Sequence, residues 1–330
     1  QVIVVGHGAR FDIGPIVELA EPIGAPVLTT FKGKGLNPDS HPLSGGVLGR
    51  SGTPVGSFLM NESDLLVVLG ASFSDHTGIS PYKPTIQVDD TPFALGRFHA
   101  VEVPVLANVG VAVRAVLDGL PARVACEDRA AEVEARWEIW RAEKARRIAD
   151  DDGRGVGSAA VFAAMSRLVP ANAVISVDVG NNTDSFGRYF EATGQSILMS
   201  GYLGSIGFGY PGAMGAWAAA PERPIVAVTG DGGFGQYMGE LTTAVAHGMP
   251  IVHVLLNNGE LGKISKEQRG AELDVWQTSL HNPDFSEYAR ICGALGIRVE
   301  RPGQLDEALA RAFAHEGPSL VEVVADAALV

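Results

Sequence analysis

The chain has 330 residues, of which 46% are hydrophobic and 19% charged, and its formal net charge is −13 at pH 7. This length predicts about two domains, each with enough apolar residues to bury a core. Because Lys and Arg form no cluster and the balance is acidic, the sequence argues against a nucleic-acid or anionic-membrane surface and favours small-molecule partners.

The first part of the chain alternates strand-like apolar runs with helical stretches. Strands are predicted at Val2–Val5, Val27–Thr30, Leu65–Leu69 and Thr85–Val88, and a helix at Gly14–Ile23. This alternation predicts a doubly wound α/β domain over residues 1–122. The Gly6-His7-Gly8 turn after the first strand is an incomplete dinucleotide fingerprint, since Phe11 stands where the third glycine belongs.

The second part of the chain repeats this alternation after a charged stretch. Residues 123–155, which contain Trp137 and Trp140, predict an exposed helix and linker. In residues 156–330, strands are predicted at Val174–Val177, Ile197–Met199, Ile225–Thr229, Ile251–Leu256 and Leu320–Val324, with one crossover helix at Gln236–His247. The predicted fold class is therefore α/β, with two doubly wound parallel-sheet domains joined by a helical linker.

Two neighbouring predicted strands of the second domain end in polar residues. Ile225–Thr229 is followed by Gly230-Asp231-Gly232-Gly233, and Ile251–Leu256 is followed by Asn257-Asn258. The carboxyl ends of parallel strands open into one crevice, where ligands bind. Carboxylate and amide oxygens suit Mg²⁺, and the glycines let backbone amides approach phosphate groups. The alternative is an aspartate that only caps the next helix.

These residues resemble the diphosphate and metal motif of thiamine diphosphate-dependent enzymes. Further family signatures are similar to Asp178–Asn182, Gly201–Gly209 and Asn258–Gly262, in the same order. Phe31–Pro38, His41–Leu43 and Asp64–Phe73 resemble the central domain of the same family. The chain thus looks like the central and C-terminal diphosphate-binding domains of a pyruvate oxidase or acetolactate synthase-like enzyme, without the N-terminal pyrimidine-binding domain.

The resemblance implies a set of residues for the cofactor and its metal ion. The implied metal ligands are the side chains of Asp231 and Asn258 and the backbone carbonyl of Glu260, whose own carboxylate is expected to face solvent. The implied contacts with the diphosphate come from two turns, Gly180-Asn181-Asn182 and Gly230-Asp231-Gly232-Gly233. For the first turn, an ordinary Asn/Gly loop is the alternative.

The resemblance also implies residues for the reaction. Ile206 would wedge between the two cofactor rings and force a bent shape, and the Gly204 carbonyl would accept a hydrogen bond from the pyrimidine amino group. Glu267 would handle a proton beside the substrate, although a surface glutamate is an equal alternative. Lys263 stands where relatives carry an apolar residue; it could recruit an anionic tail on the substrate or turn to solvent.

The implied activity is Mg²⁺- and thiamine diphosphate-dependent decarboxylation of a 2-keto acid, with transfer of the enamine to an acceptor. The acceptor stays open: flavin with a quinone or oxygen, a second keto acid, or a proton. FAD is an open alternative, with family contacts near Ser72 and Asp89-Asp90. Family sites straddle subunits, which implies a homo-oligomer, a dimer or tetramer.

Two other interpretations of the sequence remain. The family's activating glutamate belongs to the N-terminal domain, so this chain alone is expected to be inactive. A cofactor-binding, non-catalytic subunit or paralogue is therefore an alternative to an enzyme. A nucleotide-binding module that uses only the first domain is a weaker alternative.

The cysteines and the apolar runs predict the compartment. Cys126 and Cys292 are the only cysteines and have no metal-ligand spacing, which is typical of reduced thiols. No apolar stretch approaches the ~20 residues of a membrane span, and no signal peptide precedes the first strand. We therefore expect a cytoplasmic protein without a membrane span.

Overall fold

A computed structural model describes residues 1–71, 77–121, 126–150 and 153–325. The chain forms two compact units, Gln1–Glu143 with Glu191–Gly194, and Lys144–Phe190 with Gln195–Val330. Each unit contains a six-stranded parallel sheet with flanking helices, which confirms the predicted α/β class. The predicted domain limits at residues 122 and 155 stay predictions.

The first unit is built on the sheet order β3-β2-β1-β4-β5-β6. Its strands are β1 (Val2–Val5), β2 (Val27–Thr29), β3 (Ser44–Val47), β4 (Leu66–Leu69), β5 (Thr85–Asp89) and β6 (Val103–Leu106). Its helices are α1 (Ile13–Ala20), α2 (Pro54–Glu62) and α3 (Val109–Gly119), followed by α4 (Ala130–Ala149) at the division of the units. The predicted flavin contact Ser72 lies outside the described residues.

Two features of the first unit differ from the sequence prediction. Strands β3 and β6 were not predicted, because the first contains two glycines and the second a proline, residues that are depleted in strands. The prediction that the helix within residues 123–155 is exposed is wrong for one face of α4. Val133, Trp137 and Trp140 are at most 4% exposed. Their spacing of four and three positions places them on one helical stripe that packs into the core.

The second unit has the sheet order β11-β12-β10-β9-β7-β8. Its strands are β7 (Val174–Val177), β8 (Ser196–Met199), β9 (Ile225–Gly230), β10 (Ile251–Asn257), β11 (Leu295–Val299) and β12 (Ser319–Val324). Its helices are α5 (Ser158–Leu168), α6 (Asn181–Tyr189), α7 (Gly209–Ala219), α8 (Asp231–Tyr237), α9 (Glu240–Ala246), α10 (Gly262–Gly270), α11 (Phe285–Ile291) and α12 (Leu305–Ala314).

The predicted single crossover helix at Gln236–His247 is wrong. The chain instead forms α8, which begins at Asp231 itself, and α9, which begins after Gly239. Gly239 lies in the break between the two helices, and glycine is a poor residue for a helix interior. The early start of α8 places Asp231 at its first residue, directly after β9.

The order of strands in the second sheet reverses direction beside β7. From β7 the chain moves to β8 on one side and then returns to β9 on the other side of β7. In doubly wound sheets, ligands bind outside the carboxyl ends of the strands at such a switch point. The turns after β7 and β9 therefore lie at the position that this topology favours for a ligand.

None of the described helices combines the length and the apolar character that a membrane span requires.

A buried histidine supports the strands that lead to this position. His253 in β10 is fully buried, and its Nε2 lies 2.7 Å from the hydroxyl oxygen of Thr229 in β9. The rings of Tyr210 and Phe234 lie 4.9 and 4.5 Å from its ring. Burial lowers the pKa of His253 to about 3. The prediction of a hydrogen-bonded core histidine is confirmed.

Candidate functional site

A cavity of about 390 Å³ opens at the carboxyl ends of β7, β9 and β10. Most of its lining comes from four places that are distant in sequence: the turn after β7, the loop at 204–206, the turn after β9 and the segment after β10. The lining includes every residue predicted to contact the cofactor or the metal ion: Gly180, Asn181, Asn182, Gly204, Ile206, Gly230, Asp231, Gly232, Gly233, Asn258 and Glu260. Their individual roles stay predictions.

Asp231 is the most constrained of these residues. Its side chain is 3% exposed, and its Oδ1 accepts a hydrogen bond from the Gly232 amide at 2.9 Å. Its Oδ2 accepts from the Gly259 amide at 2.8 Å and from Asn282 Nδ2 at 2.7 Å. Burial raises the pKa of Asp231 above the ordinary carboxyl value, and the hydrogen bonds from Asn282 and Gly259 oppose that rise. The carboxylate is thus held against the segment that follows β10.

Asn258 lies in that segment, between β10 and α10. Its Oδ1 accepts a hydrogen bond from the Glu260 amide at 3.2 Å. A Cβ added to Gly262 would lie 3.2 Å from Asn258 Nδ2 and 2.4 Å from Asn181 Nδ2. Two asparagines from different strand ends therefore meet over a glycine that has no space for a side chain.

Glu260 belongs to a short extended segment beside Asn258. Gly259 and Leu261 exchange backbone hydrogen bonds with Leu280 and Thr278. The Glu260 amide itself donates to the Asn258 side chain. The expectation that the Glu260 carboxylate faces solvent is wrong: the side chain is 14% exposed and lies 3.3 Å from Arg269.

The turn after β7 is held by its own polar side chains. Gly180 has a φ of +150°, and its amide donates to the Thr183 hydroxyl at 2.9 Å. Asn182 donates from Nδ2 to the Asp178 carbonyl at 3.0 Å. A Cβ on Gly230 would lie 3.6 Å from Asn182 Oδ1, so this turn faces the turn after β9.

Asp178 joins the loop of Ile206 to the end of β7. Its side chain is fully buried, and its Oδ1 accepts hydrogen bonds at 2.8 Å from the amides of Val179 and Gly207. Burial raises the pKa of Asp178. Ile206, which is 37% exposed, has its Cδ1 4.0 Å from the Cβ position of Gly232. The predicted apolar wedge and the predicted diphosphate turn are thus neighbours.

Glu267 lies apart from these residues. It is exposed on α10 and is not among the described residues that line the cavity. Its predicted contact with substrate stays a prediction. Lys263, one turn earlier on the same helix, does line the cavity.

The oxygen-rich donor set fits a hard cation such as Mg²⁺. It offers one carboxylate, one amide oxygen and one backbone carbonyl, all hard oxygen donors, and Mg²⁺ takes its remaining ligands from phosphate and water. In the described part of the chain, no group of three or more His, Cys, Asp or Glu residues could hold a metal ion.

Sequence reasoning missed the residues behind Asp231. Asn282 and Asn257 contact each other and connect Asp231 to Glu322, which is fully buried in β12. The carboxylate inside the apolar run Leu320–Val324 was a usable signal, because charged residues are almost never buried without a partner. Asn282, in a loop before Pro283, carried no such signal.

The two units match two domains of one enzyme family. Residues 1–116 match the family described as thiamine pyrophosphate enzyme, central domain. Residues 178–323 match the family described as thiamine pyrophosphate enzyme, C-terminal TPP binding domain. The chain therefore belongs to the thiamine pyrophosphate enzyme family, thiamine pyrophosphate being another name for thiamine diphosphate. The resemblance stated from the motifs is confirmed.

Individual relatives are similar along nearly the whole chain. A putative thiamine pyrophosphate-containing protein of Bacillus subtilis, YdaP, is 33% identical over 98% of this chain and 56% of its own length. A probable acetolactate synthase large subunit of Methanocaldococcus jannaschii is 30% identical over 99% of this chain and 58% of its own. A sulfoacetaldehyde acetyltransferase of Rhodobacter capsulatus is 29% identical over 96% of this chain and 59% of its own length. The chain thus spans somewhat more than half the length of these relatives.

Proposed function

We propose that the protein containing this chain binds thiamine diphosphate with Mg²⁺ and decarboxylates a 2-keto acid, passing the remaining carbon fragment to an acceptor. The observation that carries the proposal is the 2.8 Å hydrogen bond from the Gly259 amide to Asp231, which joins the ends of β9 and β10 beside Asn258. Family membership supports the choice of cofactor. The oxygen donor set supports the choice of metal ion.

The residues of the cavity divide into three groups in this proposal. Asp231, Asn258 and the Glu260 carbonyl hold the cation. The turns at 180–182 and 230–233 face each other across the switch point. Their amides take the diphosphate oxygens, since open backbone amides suit anions, except for those of Gly180 and Gly232, which donate to Thr183 and Asp231. The apolar side chains of Ile206, Leu261 and Ile264 line the cavity and reduce the access of water.

When bound, thiamine diphosphate supplies a carbon nucleophile and accepts the electrons that decarboxylation releases. The chain contributes position and proton handling. Ile206 would pack against the cofactor rings, and the Gly204 carbonyl would accept a hydrogen bond from the pyrimidine amino group. Glu267 would handle a proton beside the substrate, although its side chain is exposed and is not among the described residues that line the cavity.

The proposed activity belongs to the complete protein. This chain by itself is expected to be inactive, because the family's activating glutamate belongs to neither matched domain. We further propose a cytoplasmic homo-oligomer, dimer or tetramer, whose sites are shared between subunits. The acceptor is one of three: a quinone or oxygen through bound FAD, a second keto acid, or a proton.

The test uses the product of the complete open reading frame. Carbon dioxide release is followed with a panel of 2-keto acids, with thiamine diphosphate and with Mg²⁺ or EDTA, and the visible spectrum reports flavin. The proposal expects release from at least one keto acid that EDTA abolishes. Cofactor binding without release from any substrate would favour the alternative, a non-catalytic cofactor-binding subunit. Absence of binding would overturn both.

Lys263 supports a substrate with a second anionic group. It is the one cation among the described residues that line the cavity, which also contains Asp231 and the Arg269-paired Glu260. In Lys263→Met, KM for a dicarboxylic 2-keto acid is expected to rise about tenfold relative to KM for pyruvate, since a contact with a charged group contributes ~1.5–3 kcal/mol. Steady-state kinetics on both substrates measure the ratio.

Lys266→Met is the matched control for this prediction. Lys266 lies on the same helix, one turn from Gly262, but it is exposed and is not among the described lining residues. The Lys266→Met substitution removes the same charge as Lys263→Met, and we expect it to leave the ratio of the two KM values, for the dicarboxylic 2-keto acid and for pyruvate, unchanged. An equal effect of both variants, or no effect of Lys263→Met, would contradict a role of Lys263 in substrate selection.

A further inference from the structure

A connected series of side chains runs behind Asp231, outside the residues that line the cavity. Asn282 Nδ2 donates to Asp231 Oδ2 at 2.7 Å and to Asn257 Oδ1 at 2.9 Å. Asn257 Nδ2 donates to Glu322 Oε1 at 2.7 Å. We name Glu322, Asn257 and Asn282 the relay. It brings together β12, the end of β10 and the loop before α11.

Glu322 is the fixed end of the relay. Its side chain is fully buried, its Oε2 accepts from the Ser286 amide at 2.9 Å, and Arg298 Nη1 lies 2.9 Å from its Oε1. Arg298 is the register neighbour of Glu322 on β11, and Leu255 is its neighbour on β10. A buried carboxylate with a cationic partner and backbone donors has no freedom to rotate away.

The chemistry of Glu322 determines how both amides are turned. A carboxylate only accepts hydrogen bonds, so Asn257 must present its NH₂ group to Glu322 and its oxygen to Asn282. Asn282 must then present its NH₂ group to Asn257, and its second hydrogen goes to Asp231. The relay therefore presents a donor, and never a carbonyl oxygen, to the Asp231 carboxylate.

The donor at Asp231 determines which carboxylate oxygen is available. Oδ2 receives two hydrogen bonds, from Gly259 and Asn282, whereas Oδ1 receives the one from Gly232. A carboxylate oxygen has about two acceptor positions. Oδ1 is thus the oxygen with capacity left for a cation, and the relay fixes the plane of the carboxylate.

We propose that Glu322, through Asn257 and Asn282, is a positioning residue that orients Asp231 for its divalent cation. The inference rests on the proposed function, in which Asp231 is a metal ligand. If a carboxamide replaces the Glu322 carboxylate, it brings an NH₂ donor of its own. The side-chain amides of Asn257 and Asn282 can then both rotate by about 180°, which exchanges the positions of their oxygen and NH₂ group. An Asn282 oxygen would then face the Asp231 carboxylate and repel it.

The test measures Mn²⁺ binding by electron paramagnetic resonance, on the product of the complete open reading frame with saturating thiamine diphosphate. Residues that orient a metal ligand typically change metal affinity about 10- to 100-fold. Asn282→Ala is expected to raise the Kd for Mn²⁺ within that range, and Glu322→Gln about tenfold. The double variant should resemble Asn282→Ala alone, because both changes act through one contact.

Two controls and a folding measurement separate orientation from general damage. His281→Ala changes the exposed neighbour of Asn282 in the same loop. Glu300→Gln removes an exposed carboxylate that lies 3.0 Å from the same Arg298. Both controls should keep the wild-type Kd. Asn282→Ala should keep the wild-type thermal unfolding midpoint in the absence of metal and cofactor.

The outcomes distinguish the relay from the proposed function. If the wild type binds Mn²⁺ and the Kd of Asn282→Ala is within twofold of the wild-type Kd, the role of the relay is overturned and the proposed function is not. Multiplicative effects in the double variant would also overturn it. Wild-type protein without Mn²⁺ binding would overturn the proposed function, and the relay with it.

Discussion

Asp231→Asn is expected to weaken Mg²⁺-dependent binding of thiamine diphosphate on the order of 100-fold in the complete protein. The change removes the carboxylate that joins the ends of β9 and β10, and it places an NH₂ group at one of two positions where an oxygen now accepts hydrogen bonds. A contact with a charged group contributes ~1.5–3 kcal/mol, which corresponds to about 10- to 100-fold in affinity. Isothermal titration calorimetry with thiamine diphosphate, once in the presence of Mg²⁺ and once in the presence of EDTA, measures the loss of affinity.

The matched control for this prediction is Asp274→Asn. Asp274 lies in the same unit and is exposed, so the substitution removes the same charge from the surface. The Asp274→Asn variant should bind thiamine diphosphate with wild-type affinity. If Asp231→Asn binds with wild-type affinity and keeps its dependence on Mg²⁺, the metal site lies elsewhere.

Gly233→Ala is expected to destabilise the second unit by about 1–3 kcal/mol and to impair cofactor binding, because it overpacks a buried contact. The new Cβ would lie 1.9 Å from Asp178 Oδ2, a distance that no packing allows. Asp178 also holds the Gly207 amide, so relief of the clash would move the loop of Ile206. Thermal unfolding and cofactor titration on the same preparation measure both effects.

Gly235→Ala provides the comparison within the same helix. Its Cβ meets no atom within 4 Å, and Gly235 is exposed two residues after Gly233. Alanine is the better helix former, so this variant should be as stable as the wild type or up to about 1 kcal/mol more stable. Comparable losses in the two variants would show that the helix, and not the contact with Asp178, is responsible.

The residues that line the cavity were easier to predict from the sequence than the topology that brings them together. Asp231 and Asn258 were predictable because each follows a short, branched, apolar run, and such runs are typical of buried parallel strands. The strand order was not predictable, since the position of β12 between β10 and β11 depends on contacts distant in sequence. The switch point between β7 and β9 could therefore not be derived from the motifs.

Local rules failed where tertiary packing decides. Strand β3 contains two glycines and forms because its neighbour β2 supplies the pairing partners. The charged composition around Trp137 predicted exposure, yet the indole donates to the Ser44 carbonyl at 2.6 Å in the core. The orientation of Asn257 and Asn282 depends on Glu322, a residue that no motif near Asp231 contains.

The place of β12 between β10 and β11 sets an order of events during synthesis. Asp231 and Glu322 are 91 positions apart (322 − 231), so the ribosome releases the aspartate long before the glutamate. A nascent chain that ends before Ser319 has β9 and β10 but lacks β12, the strand that carries Glu322. Because domains fold as units during translation, the proposed cation site would be completed only when β12 inserts between β10 and β11.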